Sequence, residues 1–366
     1  MPNTPMTIKV PGKLMIAGEF AVLEPHHQLV VMAVDRYVYT TIEESNQNYV
    51  SLHDFQLIDL NWDYENGKLT IHTDHPKTVF VQEAMRIAMV YLHEKNIQPG
   101  PFAISVKSEL DDASGKKYGL GSSAAVVTSI ISAILTKYFP TYTKELLFKL
   151  AALAHVNVQG NGSGADIAAS AYGGFLQYAS FQAGWLKAAS KEAKSLSGLV
   201  EGEWEYLSLQ PLRIPNNVYV CVGWTGKPAS TAKLVDELMK LKDTDPAAYQ
   251  TFLDASEKAV YTFLKGVNES NTDLLFEGVK RNRAALARVG NQANVAIETP
   301  LLRTLCDLAE EYGGAGKSSG AGGGDCGIAF MPSKEQADEL MEAWEKAGIT
   351  PLTIKPSSIG ASISEL

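Results

Sequence analysis

The segment GLGSSAA, residues 119–125, closes a polar loop and opens an apolar run that continues to Leu135. A run of that length and composition reads as a helix. This helix starts on residues with almost no side chain. The first N–H groups of any helix lack intrahelical partners and carry roughly half a positive charge. Small residues allow an anion such as a phosphate to approach them closely. Ser122 and Ser123 can cap the helix and still offer a hydroxyl to a phosphate or to Mg2+. Lys116 and Lys117 add positive charge just upstream. Gly-rich, Ser-capped helix starts are also common for packing reasons alone, so this segment does not decide the matter by itself.

Familiar phosphate loops fit poorly. A G-x-x-x-x-G-K-[ST] loop would end at Gly316-Lys317-Ser318, but its first glycine falls on Glu311. Gly119, Gly121 and Ala124 meet G-x-G-x-x-[GA] literally, yet polar DDASGKKY precedes them where a dinucleotide fold needs the end of a strand. No H-R-D and D-F-G pair is present.

Three other segments share the pattern. PGKLMIAGEFAVL (11–23) sets Lys13 between a glycine and an apolar strand, where it can reach a phosphate. GNGSGADIAAS (160–170) sets Asp166 at a helix start after a flexible loop. The helix dipole favours an Asp there by about 0.3–1 kcal/mol with or without a function. The functional reading is a carboxylate that orients or deprotonates an attacking oxygen. KSSGAGGGDCGIAF (317–330) is a further Gly/Ser loop feeding a strand. Its glycines suggest close backbone approach to a ligand, and Asp325 within it is either a useful charge or a turn residue.

Strand-like and helix-like stretches mix in both halves of the 366-residue chain, which predicts an α+β or α/β enzyme of two domains. A polar stretch at 185–203 reads as a connector, giving domains 1–190 and 191–366. Strands are expected at 7–23, 29–45, 50–55, 69–73, 101–110, 217–226 and 351–355. Helices are expected at 77–96, 124–138, 143–160, 229–242, 246–265, 270–289, 300–312 and 334–347. A net charge of −9 argues against a nucleic-acid surface. Three cysteines without paired spacing argue against disulfides and structural zinc, and for a reduced, cytoplasmic setting. No apolar run is long enough to span a bilayer, so a soluble chain without a membrane partner is expected. The seven histidines show no metal spacing and read as surface or packing residues.

With these segments in view, the sequence resembles the kinase superfamily of galactokinase, homoserine kinase, mevalonate kinase and phosphomevalonate kinase. PGKLMIAGEFAVL, GLGSSAA and KSSGAGGGDCGIAF match its motifs in order. The proline-free lead SGKKYGLGSS, with NGSGADIA and VGWTG, is most similar to the bacterial phosphomevalonate kinase branch. The resemblance implies an N-terminal domain like the second domain of ribosomal protein S5, a ferredoxin-like C-terminal domain, and an active site in the cleft between them. It implies the substrates ATP and 5-phosphomevalonate, with Mg2+. Carried over residue by residue, it assigns Lys13 and Asp166 to catalysis. It assigns Lys116, Lys117, Gly119, Leu120, Gly121, Ser122, Ser123 and Ala124 to ATP, with Ser123 on Mg2+. The acceptor falls to Lys13, Ser163, Gly164, Ser318, Ser319, Gly320, Ala321 and Gly322. Asn61, Trp62, Ser230 and Thr231 are further cleft candidates. The rival readings are a mevalonate or homoserine kinase, and a catalytically silent ligand-binding relative.

Overall fold

Apolar and β-branched residues fill β1 (Met6–Ala17) and β2 (Gln28–Glu44), which pair antiparallel from Met6↔Ile42 to Ala17↔Val30. A register shift between Pro11 and Gly12 places an irregularity immediately before Lys13. Such bulges re-aim the side chains that follow them. The structure is a computed structural model describing residues 4–111, 117–139, 141–228 and 231–365. After β2 come β3 (Tyr49–Leu52), β4 (Leu57–Glu65), β5 (Lys68–Ile71), α1 (Val79–Glu94) and β6 (Phe102–Ser108). Then follow α2 (Ser122–Tyr138), α3 (Lys144–Gln159), α4 (Ala165–Tyr172), β7 (Phe175–Ala179), α5 (Ala183–Glu192), α6 (Leu196–Glu201) and β8 (Ser208–Leu212). The second part has β9 (Tyr219–Trp224), α7 (Thr231–Thr244), α8 (Pro246–Asn268), α9 (Thr272–Gln292) and α10 (Pro300–Glu311). It continues with β10 (Ala315–Ser318), β11 (Cys326–Met331), α11 (Lys334–Lys346) and β12 (Thr350–Leu352), before β13 (Ser362–Ile363).

The first sheet runs β13-β1-β2-β6-β3-β4-β5, with β7 on β2 and β8 on β7. Its strands pair antiparallel except β3 with β6. The second is antiparallel in the order β10-β11-β9-β12. Counted along the chain from β9, that order is second, third, first, fourth, with helices crossing between first and second and between third and fourth. This is the ferredoxin-like arrangement. The α+β class and the two-part architecture are therefore as expected.

Helix α2 packs on β1 and β2 and against α1 and α3, and is buried on nearly every side. Two of its polar interior residues find partners: Ser129 Oγ lies 2.7 Å from Thr40 Oγ1, and Ser132 Oγ lies 2.8 Å from the Tyr142 hydroxyl, whereas the buried Thr128 Oγ1 has none among the described residues. A buried hydroxyl without such a partner costs stability.

Several elements depart from expectation. The stretch at 185–203 contains most of α5 and all of α6, the latter packed on α1. Position 190 lies inside α5, and β8 still belongs to the first sheet. Strand β4 escapes a pattern search because only Trp62 along it is buried. Strand β10 hides in a glycine-rich stretch, yet all four of its residues are buried. The two-residue strand β13 is specified only by its partner β1. Among the described residues no helix is long and apolar enough to cross a membrane.

All three cysteines are buried and free. Burial pushes the thiols of Cys221 and Cys306 up to about 12, and that of Cys326 higher still. The thiolate is the nucleophile. Native protein at pH 8 is therefore expected to resist iodoacetamide at all three positions and to take three labels once denatured. Mass spectrometry of both samples checks this, and a label on the native protein would contradict it.

Candidate active site

Gly121 precedes α2 in the left-handed region, at φ 77°, and no side chain caps the helix. The expectation that Ser122 or Ser123 serves as the cap is thus corrected. A glycine turns the chain into the helix, and both serines lie inside the first turn. The N–H end of α2 opens into a cavity of about 850 Å³ lined by Gly119, Leu120, Gly121, Ser122 and Ser123.

Lys13 enters the same cavity from β1, just past the Pro11/Gly12 irregularity. Its backbone N–H donates to the Leu120 carbonyl at 2.8 Å, and its Nζ donates to the Gly119 carbonyl at 2.9 Å. The stem crosses Gly121, where a Cβ would sit 3.0 Å from Lys13 Cγ and 3.4 Å from Asp166 Cβ. Lys13 and Asp166 therefore flank one glycine from two elements. Asp166 lies in the first turn of α4, and its Oδ1 accepts the Ile167 N–H at 3.0 Å. The loop before α4 is held by Tyr178, whose hydroxyl donates to the Ser163 carbonyl at 2.6 Å. Burial, reinforced by the nearby Asp166 charge, drives the Tyr178 pKa well above its ordinary value. It stays a donor to that carbonyl at neutral pH.

Ser163, Gly164, Ser319, Gly320 and Ala321 line the cavity, as does Lys117 at its edge. Ala124, Ser318 and Gly322 do not, and Ala124 is fully buried inside α2. Ser318 is a buried residue of β10. Gly322 meets the 295–298 segment, where a Cβ would lie 2.3 Å from the Ile297 carbonyl oxygen. Its glycine serves close backbone packing. Asn61 and Trp62 belong to β4 and line no part of the cavity; Trp62 is buried with its ring 4.8 Å from that of Phe102. Lys116 and Ser230 lie outside the described residues, and Thr231 opens α7.

Two residues are better placed than the sequence indicated. Asp325 lines the cavity against Gly119, where a Cβ would meet its carboxyl carbon at 2.6 Å. His155 was expected at the surface or in packing. It lies in the cavity wall with Nε2 3.1 Å from Ser123 Oγ, and its ring centroid is 5.1 Å from that of Phe80. Burial lowers its pKa, with Asp166 pulling the other way. The one available signal was its position among apolar residues of α3.

Among the described residues no three His, Cys, Asp or Glu side chains group as a metal cage. The cavity does supply hard oxygen donors, the hydroxyls of Ser122 and Ser123 and the carboxylates of Asp166 and Asp325. Such a set suits Mg2+ arriving with a phosphate ligand. Phe20, Val22, Leu23, Leu29, Val235 and Met239 add apolar lining to the cavity.

Comparison with known proteins gives a consistent result. Residues 80–174 match the model of the GHMP kinases N terminal domain, and residues 263–350 match that of the GHMP kinases C terminal. A phosphomevalonate kinase of Streptomyces sp. (strain CL190) is 31% identical, with 96% of each chain covered. A crystal structure of a Lin0012 protein from Listeria innocua superposes with a TM-score of 0.93 at 40% identity, covering 99% of this chain and 100% of that one. The Streptococcus pneumoniae phosphomevalonate kinase in complex with phosphomevalonate and AMPPNP gives a TM-score of 0.84 at 27% identity, covering 96% and 99%.

Proposed function

The chain belongs to the GHMP kinase family and is a phosphotransferase, and we propose that it moves the γ-phosphoryl group of ATP to the phosphate of 5-phosphomevalonate. The observation that carries this reading is the convergence of Lys13, the 119–123 turn and the 319–321 loop on one cavity. The pneumococcal relative, solved with phosphomevalonate and AMPPNP, supports the choice of ligands.

In this reading an oxygen of the acceptor phosphate attacks the γ-phosphorus, and the bond to the β-bridging oxygen breaks to release ADP. Such transfers need positioning and charge stabilisation more than covalent help. The open N–H groups of α2 hold the ATP phosphates. Lys13, already turned toward Gly119, meets the charge shared between γ-phosphate and acceptor. Ser163, Gly164 and the loop from Ser319 to Ala321 receive the acceptor. With a second pKa of about 6, a phosphomonoester acceptor is mostly deprotonated at neutral pH. Asp166 therefore orients Lys13 and the acceptor more than it removes a proton. Ser123 would hold Mg2+ arriving with ATP, and the ion would supply charge neutralisation for the transferring group.

The test is a side-by-side assay of ADP release with phosphomevalonate, mevalonate and homoserine. Phosphomevalonate should be preferred on kcat/KM by at least about 10²-fold, the discrimination expected when a site built for an anion is offered a neutral group. Preference for mevalonate or homoserine would overturn the acceptor assignment. No turnover with any of them would point to a silent relative.

Ser123→Ala gives a second check. Ser123 does not cap α2, so no capping loss is expected, but its hydroxyl is the partner of the buried His155 Nε2 at 3.1 Å, so the melting temperature should fall modestly, by the equivalent of about 1 kcal/mol. Turnover should fall about tenfold, and the Mg2+ concentration at half-maximal rate should rise. Normal Mg2+ dependence would remove Ser123 from the metal site.

A further inference from the structure

In the sequence, Gly316-Lys317-Ser318 resembles the end of a phosphate loop. The structure turns Lys317 away from that use. Its side chain is fully buried at 0% exposure, does not line the cavity, and pairs with the carboxylate of Glu19. Its ammonium also donates to the Ser318 carbonyl. Glu19 is itself buried, with 3% side-chain exposure, and its two oxygens are spent on three different elements. Oε1 takes Lys317 and also accepts the Gly320 N–H at 3.3 Å. Oε2 accepts from Asn282 Nδ2 of α9 at 3.0 Å. The side-chain Oδ1 of Asn282 in turn accepts the Gly18 N–H at 3.1 Å. Beside this network, Ser319 Oγ donates to the Met15 carbonyl at 3.0 Å and accepts the Met15 N–H at 2.9 Å.

We propose that the buried Glu19–Lys317 pair, with Asn282, is a positioning device that docks the Ser319–Ala321 loop onto β1 and sets Gly320 beside the Lys13 ammonium. A Cβ on Gly320 would lie 4.0 Å from Lys13 Nζ, so small movements of the loop change what Lys13 and an acceptor can share. A buried ion pair gives little net stability over well-packed apolar residues. What it offers here is direction. An apolar pair could fill the same space but could not accept the Gly320 N–H and the Asn282 amide at once. Each member comes from a different stretch of chain: Glu19 follows β1, Lys317 lies in a strand of the second sheet, and Asn282 sits on a helix between. The inference rests on reading Lys13 and this loop as the transfer site. It does not depend on which acceptor is used.

The experiment compares wild type with Lys317→Met, Glu19→Leu/Lys317→Met and Asn282→Leu. Melting temperature, hydrogen exchange at amides 319–324, nucleotide affinity and kcat are measured on each. Lys317→Met leaves a buried carboxylate without its cation and should melt well below wild type. The double variant removes both charges and should recover most of that loss. It should nevertheless keep a kcat reduced about 10²-fold, the scale of a misplaced reacting group. Its loop amides should exchange about tenfold faster, while nucleotide affinity stays within about twofold because the network does not touch α2. Should the double variant not fold, Asn282→Leu removes one anchor without orphaning a charge, and faster loop exchange with lower kcat is expected there too. A folded double variant or Asn282→Leu protein with wild-type kcat and wild-type loop exchange would overturn the proposal. Loop exchange reads out whether or not phosphomevalonate is the acceptor, so the two claims fail separately.

Discussion

Lys13→Met should lower kcat by about 10²–10³-fold, the cost of removing one preorganised charge-stabilising donor, while leaving the fold intact. The methionine keeps most of the stem that crosses Gly121. What is lost is the ammonium and its hydrogen bond to the Gly119 carbonyl. That carbonyl lies in a half-buried turn at the cavity wall, where water can replace the donor, so about 1 kcal/mol of stability is at stake. The main effect should therefore fall on the chemical step. Nucleotide affinity should change by less than tenfold, because the α2 N–H groups do not depend on Lys13. A variant with near-normal kcat would show that Lys13 only props the 119–121 turn. A variant that loses nucleotide binding and stability together would show the same by a different route. Single-turnover rates with affinity measured separately distinguish these outcomes.

Parts of this site are written locally in the chain and parts are not. Lys13, Gly119 to Ser123 and Asp166 are legible because each lies at the junction of a glycine-rich break and a regular element, and such junctions are set by nearby residues. The ordered recurrence of the motifs carries the fold class with them. His155, Glu19, Lys317 and Asn282 are not legible in this way. His155 reads as one more residue on a buried stripe of α3, and only the packing of α3 beside α2 makes it a neighbour of Ser123. Lys317 pairs with a residue 298 positions away, and nothing in either neighbourhood announces the partner. Gly322 shows the converse error. Its glycine is genuine evidence of close approach, but what approaches is the Ile297 carbonyl. Local composition says that space is required and is silent on what fills it. The short strands β8 and β13 escape for a related reason, since their pairing partners lie elsewhere in the chain.

Gly121→Ala should separate space from chemistry at the centre of the site. Gly121 has φ +77°, and an added Cβ would approach Lys13 Cγ to 3.0 Å and Cε to 3.2 Å, with Asp166 Cβ at 3.4 Å. An L-residue in that conformation costs about 1–2 kcal/mol, which a melting curve should register as a modest loss. The larger consequence is geometric. The lysine stem must give by a few tenths of an ångström or more, and the helix N-terminus must shift with it. Misplacement on that scale at a reacting centre is worth about 10²-fold in rate. Gly67→Ala supplies the control. Gly67 has φ +79° in the β4–β5 turn, with nothing within 4 Å of an added Cβ. Both variants bear a similar backbone strain, so both should lose similar stability. Only Gly121→Ala should lose activity, and most of that loss should appear in kcat. Equal activity losses in the two variants would mean that strain propagates through the fold rather than acting on Lys13 and Asp166. Full activity in Gly121→Ala would mean that the lysine stem can leave Gly121 without consequence, and Lys13 could then not be the residue that meets the transferring charge.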